Sequence, residues 1–154
     1  MKPASTKDDT SRLKFERNLS YRVSMLNFLM GKVTKDIYNA QGLTSHQWKV
    51  LSVVDAFAPI PAYEIAKWVT LDKAAISRAV RQLRDLRLVE LRPHATDARI
   101  IDIVMTKKGT QIYATMNKHA SKLQARLLGS LSVERQALFF SILDEIEARL
   151  DPER

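Results

Sequence analysis

The sequence predicts a mainly α-helical fold with one small β-hairpin, and three observations predict it. Apolar residues recur every three or four positions from Phe15 to Leu83. The period drops to two between Val89 and Met105, then returns to near four from Ile112 to Leu150. With 154 residues, 45% hydrophobic and 27% charged, the chain has material for a packed core, which excludes a disordered tail for most of its length.

Taken in order, residues 1–10 are polar and expected to be loose. From Ser11 to Gln41 the residues Phe15, Leu19, Val23, Leu26, Met30, Val33 and Ile37 form one stripe, predicting a single long amphipathic helix stopped by a left-handed Gly42. Thr44 followed by Gln47 spells a capping box, with the hydroxyl accepting from the helix N-terminus and the amide reaching back. Trp48, Leu51, Val54 and Ala58 give that helix its expected buried stripe, and Pro59 and Pro61 end it. A short helix from Pro61 to Val69 turns Ile65, Ala66 and Val69 inward. Asp72 caps the next helix, Lys73 to Leu86.

Beyond Leu88, Val89 and Leu91 alternate with Glu90 and Arg92. The polar stretch from Pro93 to Arg99 turns the chain, and Ile101, Ile103 and Met105 alternate with Asp102 and Val104, completing a hairpin. Thr106 caps a long helix with the stripe Ile112, Met116, Ala120, Leu123 and Leu127, ended near Gly129. Ser132 caps a last helix carrying Leu138, Ile142, Ile146 and Leu150. Three short helices followed by a hairpin make a winged helix-turn-helix, here flanked by long helices. The implied domains are an N-terminal dimerisation helix over 11–42, a winged domain over 43–106 and C-terminal dimerisation helices over 107–151.

Lys and Arg number 25 against 17 Asp and Glu, a net charge of +8 that points to a polyanionic partner, nucleic acid or anionic membrane. Its distribution decides between them. The surplus is +4 over 1–43, −1 over 44–66, +5 over 67–108 and zero over 109–154. The helix from Lys73 gathers the middle surplus on one face. At roughly 100° per residue, Lys73, Ala74, Ser77, Arg78, Arg81 and Arg84 share one arc, while Ile76, Ala79, Val80, Leu83 and Leu86 share the other. Small Ala74 and Ser77 let a helix N-terminus approach base edges. Arg78 and Arg81 are long enough to reach bases or phosphates in a groove about 12 Å wide. On the hairpin tip, Arg99 two residues after Asp97 suits entry into a minor groove, with the carboxylate holding the guanidinium. A solvated basic face and a surface ion pair are the bland alternatives, and they weaken because helix pair, basic helix and basic hairpin occur together.

These residues resemble the MarR family of bacterial transcriptional regulators over nearly the whole chain. The resemblance is carried by Leu43-Thr44 with Gln47 and Val50-Leu51, Glu64-Ile65-Ala66, Ile76-Ser77-Arg78-Ala79-Val80 with Leu83, and Leu88-Val89-Glu90. It continues through Asp97-Ala98-Arg99, Thr106 with Gly109, and Leu131-Ser132. It implies a homodimer with interlocked terminal helices whose two winged domains read a palindromic operator, with Ser77 and Arg78 in the major groove and Asp97 and Arg99 on the wing. The chain departs from the family pattern where Leu86-Arg87-Leu88 replaces a turn that usually contains Gly, which leaves the turn's conformation open. It departs again at Leu91, where the family often has Arg.

Independently of the resemblance, the stripes on the first, fifth and sixth helices have no third surface to cover within a small winged domain, which argues for a partner chain. The neutral segment 109–154 agrees, because strongly basic helices would repel one another. By resemblance, a small aromatic acid or other lipophilic anion would bind near Arg22, Asn27, His46, Trp48 and Tyr113. Arg22 is then a carboxylate partner or a plain surface charge, and Trp48 a pocket wall or core.

The expected partners are thus double-stranded DNA, a second copy of the chain and a small-molecule effector, with no cofactor. Relief of a repressor by that effector is the expected mechanism. A winged-helix protein-interaction module and a non-specific architectural DNA binder are the alternatives. His46, His94 and His119 lack metal-ligand spacing, and no nucleophile turn or phosphate loop is present, so neither a metal site nor an enzyme is expected. With no Cys, disulfides and thiol chemistry are excluded. With neither a signal peptide nor a membrane span, the expected location is cytoplasmic.

Overall fold

A computed structural model describes residues 14–151 of the chain. It divides into two compact units, one ending at Tyr113 and the other beginning at Ala114. The first holds α1 (Leu19–Asn39), α2 (Ser45–Phe57), β1 (Ile60–Pro61), α3 (Ala62–Ile65), α4 (Lys73–Asp85), β2 (Val89–Pro93), β3 (Ile101–Met105) and the start of α5 (Lys107–Leu128). The second holds the rest of α5 and α6 (Val133–Leu150).

The single helix expected before Gly42 is broken near its start. Lys14 to Glu16 form a helical turn, Arg17 leaves it, and Asn18 caps a new helix by accepting from the Tyr21 N–H at 3.0 Å. Asn competes well for that role because its short amide satisfies a free helix N–H. Ser11 and the loose segment expected over 1–10 lie outside the described residues. At the far end Gly42 is left-handed, φ 68°, and its neighbour Leu43 donates back to the Tyr38 carbonyl at 3.0 Å.

The capping box at α2 is present in both directions. The Gln47 N–H reaches the Thr44 hydroxyl at 3.3 Å, and the Thr44 N–H donates to Gln47 Oε1 at 2.7 Å. The stripe of α2 is shifted from the one expected. Gln47, Val50, Leu51, Val53 and Val54 are buried, whereas Trp48 is half-buried against the Tyr38 ring and Ala58 is exposed. The helix inferred from Pro61 to Val69 is shorter, Ala62 to Ile65, with Ile65 fully buried and Ala66 and Val69 only half-buried.

The hairpin gains a strand that its own alternation does not announce. Ile60–Pro61 pairs with β3, giving an antiparallel sheet in the order β1-β3-β2, with Ile60 opposite Ile103 and Leu91 also opposite Ile103. Being central, β3 buries both Asp102 and Ile103, which corrects the alternation expected from sequence. Ile101, expected inward, is exposed, as are Leu91 and Leu86. The core of this unit gathers Leu51, Ile65, Ile76, Leu83, Leu88 and Ile103, all essentially inaccessible to water. That burial is the main term holding the helices to the sheet.

In the second unit Gly129 ends α5, and Ser132 caps α6 by accepting from the Arg135 N–H at 3.4 Å. Gln136 ties the turn by donating to the Leu128 and Leu131 carbonyls at 3.2 and 3.0 Å. Among the described residues no helix is long and apolar enough to cross a membrane.

Candidate nucleic-acid interface

The two faces of α4 separate cleanly. Asp72 caps the helix, accepting from the Ala75 N–H at 2.6 Å, and Ala75, Ile76, Ala79, Val80 and Leu83 are buried beneath it. Lys73, Ala74, Ser77, Arg78 and Arg81 all point to solvent. Among the described residues Lys73, Arg78 and Arg81 enter no ion pair, so three cations on one exposed arc remain available to an anion.

What aims this helix is a buried amide. Gln47, capping α2 with its Oε1, donates through Nε2 to Gln82 Oε1 at 3.1 Å, joining α2 directly to α4. Sequence reasoning gave Gln47 a capping role only. The signal for the second role was the phase of Gln47, four residues before Leu51 on the apolar side of α2.

The far end of α4 closes as a Schellman turn: Leu88 N–H donates to the Leu83 carbonyl at 2.9 Å and Arg87 N–H to that of Arg84 at 2.8 Å. This motif requires a left-handed residue, and Arg87 adopts it with φ 59°. The conformation left open by the missing Gly is therefore the same one, formed by an arginine. It is held by Thr106, whose hydroxyl donates to the Arg87 carbonyl at 2.7 Å, and by Lys108, which donates to the Leu86 carbonyl at 3.0 Å. Thr106 also accepts from the Gly109 N–H at 3.0 Å, the cap expected for α5.

On the wing, Arg99 grips Asp97 with two parallel bonds, Nε to Oδ1 at 3.0 Å and a terminal nitrogen to Oδ2 at 2.9 Å. The Arg99 N–H adds a third at 3.0 Å. These bonds hold the Asp97 carboxyl below the usual carboxylate range, and Asp97 in turn raises the guanidinium. Since the Arg99 side chain is 91% exposed, the pair orients the cation without covering it. Below it the wing carries a contact that the sequence did not suggest, His94 Nδ1 to Asp102 Oδ2 at 2.7 Å.

The five residues expected around a ligand are spread over α1, α2 and α5. Arg22 and Asn27 are exposed on α1, His46 lies near Arg78 and Gln82 in a shallow concavity, Trp48 packs on Tyr38, and Tyr113 is half-buried on α5. No hydrogen bond, ion pair or ring contact joins any two of them.

An exposed basic helix seated by a helix pair, followed by a hairpin that presents an oriented arginine, defines a winged helix-turn-helix DNA-binding protein. The model of the MarR family matches residues 41–100, the segment that contains this arrangement. The transcriptional regulator TcaR of Staphylococcus aureus is 27% identical over 130 residues, covering 83% of this chain and 85% of its own. Among solved structures, Staphylococcus aureus MarR in complex with salicylate and kanamycin superposes with a TM-score of 0.75 at 19% identity, covering 88% of this chain and 93% of that one. A mutant Escherichia coli MarR complexed with operator DNA gives 0.73 at 22% identity, covering 83% and 92%. The chain is thus similar to the MarR family over residues 41–100 and to HTH-type transcriptional regulators over most of its length.

Proposed function

We propose that the chain acts as a homodimeric repressor that occludes a palindromic operator and is released by a small aromatic or anionic ligand. The observation that carries the DNA reading is the exposed face of α4, where Lys73, Ala74, Ser77, Arg78 and Arg81 stand over a fully apolar underside. In this reading α4 enters the major groove and the wing, with Asp97 and Arg99, reaches the adjacent minor groove. In this reading residues 43–106 form the DNA-reading domain, and the segments 11–42 and 107–151 form the dimer.

The dimer is supported by apolar side chains exposed on each outer helix: Leu19, Val23 and Leu26 on α1, each just over half exposed, and Leu138 and Leu150 on α6, at 59% and 79%. Soluble monomers rarely leave so much apolar surface to water. Two copies related by a two-fold axis would cover it and place two reading helices about one helical turn apart, as a palindrome requires. Release by ligand is supported by the relative solved with salicylate, and it requires a ligand that binds the misaligned dimer more tightly than the aligned one.

Selection from a random duplex pool tests the reading, followed by binding to the selected site at one fixed salt and light scattering of the complex. The expected result is a palindrome bound by two chains, with salicylate weakening it. A specific-to-nonspecific affinity ratio near one, or a single chain per site, overturns it.

A further inference from the structure

We propose that His94 and Asp102 are positioning residues of the wing, a clamp that holds the loop carrying Asp97 and Arg99 in its DNA-reading orientation. The inference rests on the reading that Arg99 contacts DNA.

The loop from His94 to Ile100 closes on itself through two backbone bonds, His94 N–H to the Ile100 carbonyl and Ile100 N–H to the Asp97 carbonyl, both 2.9 Å. Its arginine is spent on a bond within the loop, to Asp97. Among the described residues, the one side-chain hydrogen bond from this loop to the sheet is His94 to Asp102. In this bond Nδ1 donates and the carboxylate oxygen accepts.

Asp102 is a costly anchor. It is 3% exposed in the central strand, its Oδ1 has no partner, and the cation opposite it in register, Arg92, pairs with Glu90 instead. A buried carboxylate with a single partner lowers folding stability relative to an apolar residue of similar volume. Its return is positional: it fixes the ring from which the loop hangs.

The test uses the full chain and a selected operator, with Asp102→Leu, His94→Leu, His94→Asn and Arg99→Ala, and each of the first two combined with Arg99→Ala. Asp102→Leu is expected to melt at the same or a higher temperature yet bind operator roughly 2- to 10-fold more weakly, one hydrogen bond's worth of order. His94→Leu weakens binding similarly, and His94→Asn, whose amide nitrogen falls near the Nδ1 position, restores it. Combined with Arg99→Ala, both Leu substitutions lose their effect on binding. Undiminished binding by both Leu variants, or an equal loss with and without Arg99, overturns the proposal. If Asp102→Leu fails to fold, the His94 variants decide alone. Full affinity for Arg99→Ala itself refutes the wing reading and this inference with it. A weakened Arg99→Ala beside an unaffected His94→Leu refutes only the clamp.

Discussion

Gln47 Nε2 donates to Gln82 Oε1 at 3.1 Å, and this bond ties α4 to α2. Both ends of the Gln47 amide are used, since Oε1 also accepts from the Thr44 backbone at 2.7 Å. Replacing it with Leu would keep the volume while stripping one partner from each of two groups. Gln47→Leu is expected to lower stability by about 1–3 kcal/mol, read from urea denaturation, because the Thr44 N–H loses its cap and Gln82 its anchor. Operator affinity should fall with it, while Gln82→Ala, which spares the cap, should lower affinity with a smaller loss of stability.

Gly109 packs where no side chain fits. A Cβ there would stand 2.0 Å from the Leu88 carbonyl oxygen, which is itself bonded to the Thr106 N–H at 3.0 Å. The obstacle is backbone at the junction of α4, the wing and α5, so relief requires moving all three. Gly109→Ala is expected to destabilise the fold by about 3 kcal/mol, at the upper end of overpacking effects, visible as a shifted denaturation midpoint with an unchanged slope.

Arg87 is held at φ 59°, which costs a non-glycine residue about 1–2 kcal/mol. Arg87→Gly removes that strain and returns part of the gain as greater freedom in the unfolded chain. A net rise of roughly 0.5 kcal/mol is expected, measured as a higher Tm. A fall in Tm would mean that the arginine side chain contributes more than its backbone costs.

The Asp97 carboxyl is held low first by its side-chain bonds to Arg99, then by the Arg99 N–H. A depressed carboxyl stabilises the folded wing above the ordinary carboxylate range and loses that contribution as pH falls through its folded value. Following the Asp97 carboxyl carbon by NMR should show a titration below the ordinary range in the native chain and a return toward it in Arg99→Ala. The same titration in both would mean that the pair is not formed in solution.

Much of this was legible in the sequence because it was written in local chemistry. Thr44 with Gln47, Asp72, Thr106 and Ser132 cap the helices expected of them, since capping depends on side chains a few residues apart. The two faces of α4 followed from helical phase. What escaped was set by contacts distant in the chain. The pairing of Ile60 with Ile103 makes β3 the central strand, in which Asp102 and Ile103 are both buried, and Asp102 in turn meets His94. The turn at Arg87 was unreadable for a different reason: its left-handed residue is stabilised by Thr106 and Lys108, some twenty positions away.

Operator binding by Arg78→Ala at one fixed salt tests most directly the proposal that Arg78 reads DNA from the exposed face of α4. The result expected is a loss of about 1–3 kcal/mol on the selected operator, with relaxed preference at one base position and an intact dimer. Binding equal to that of the native chain on both operator and random duplex would contradict it.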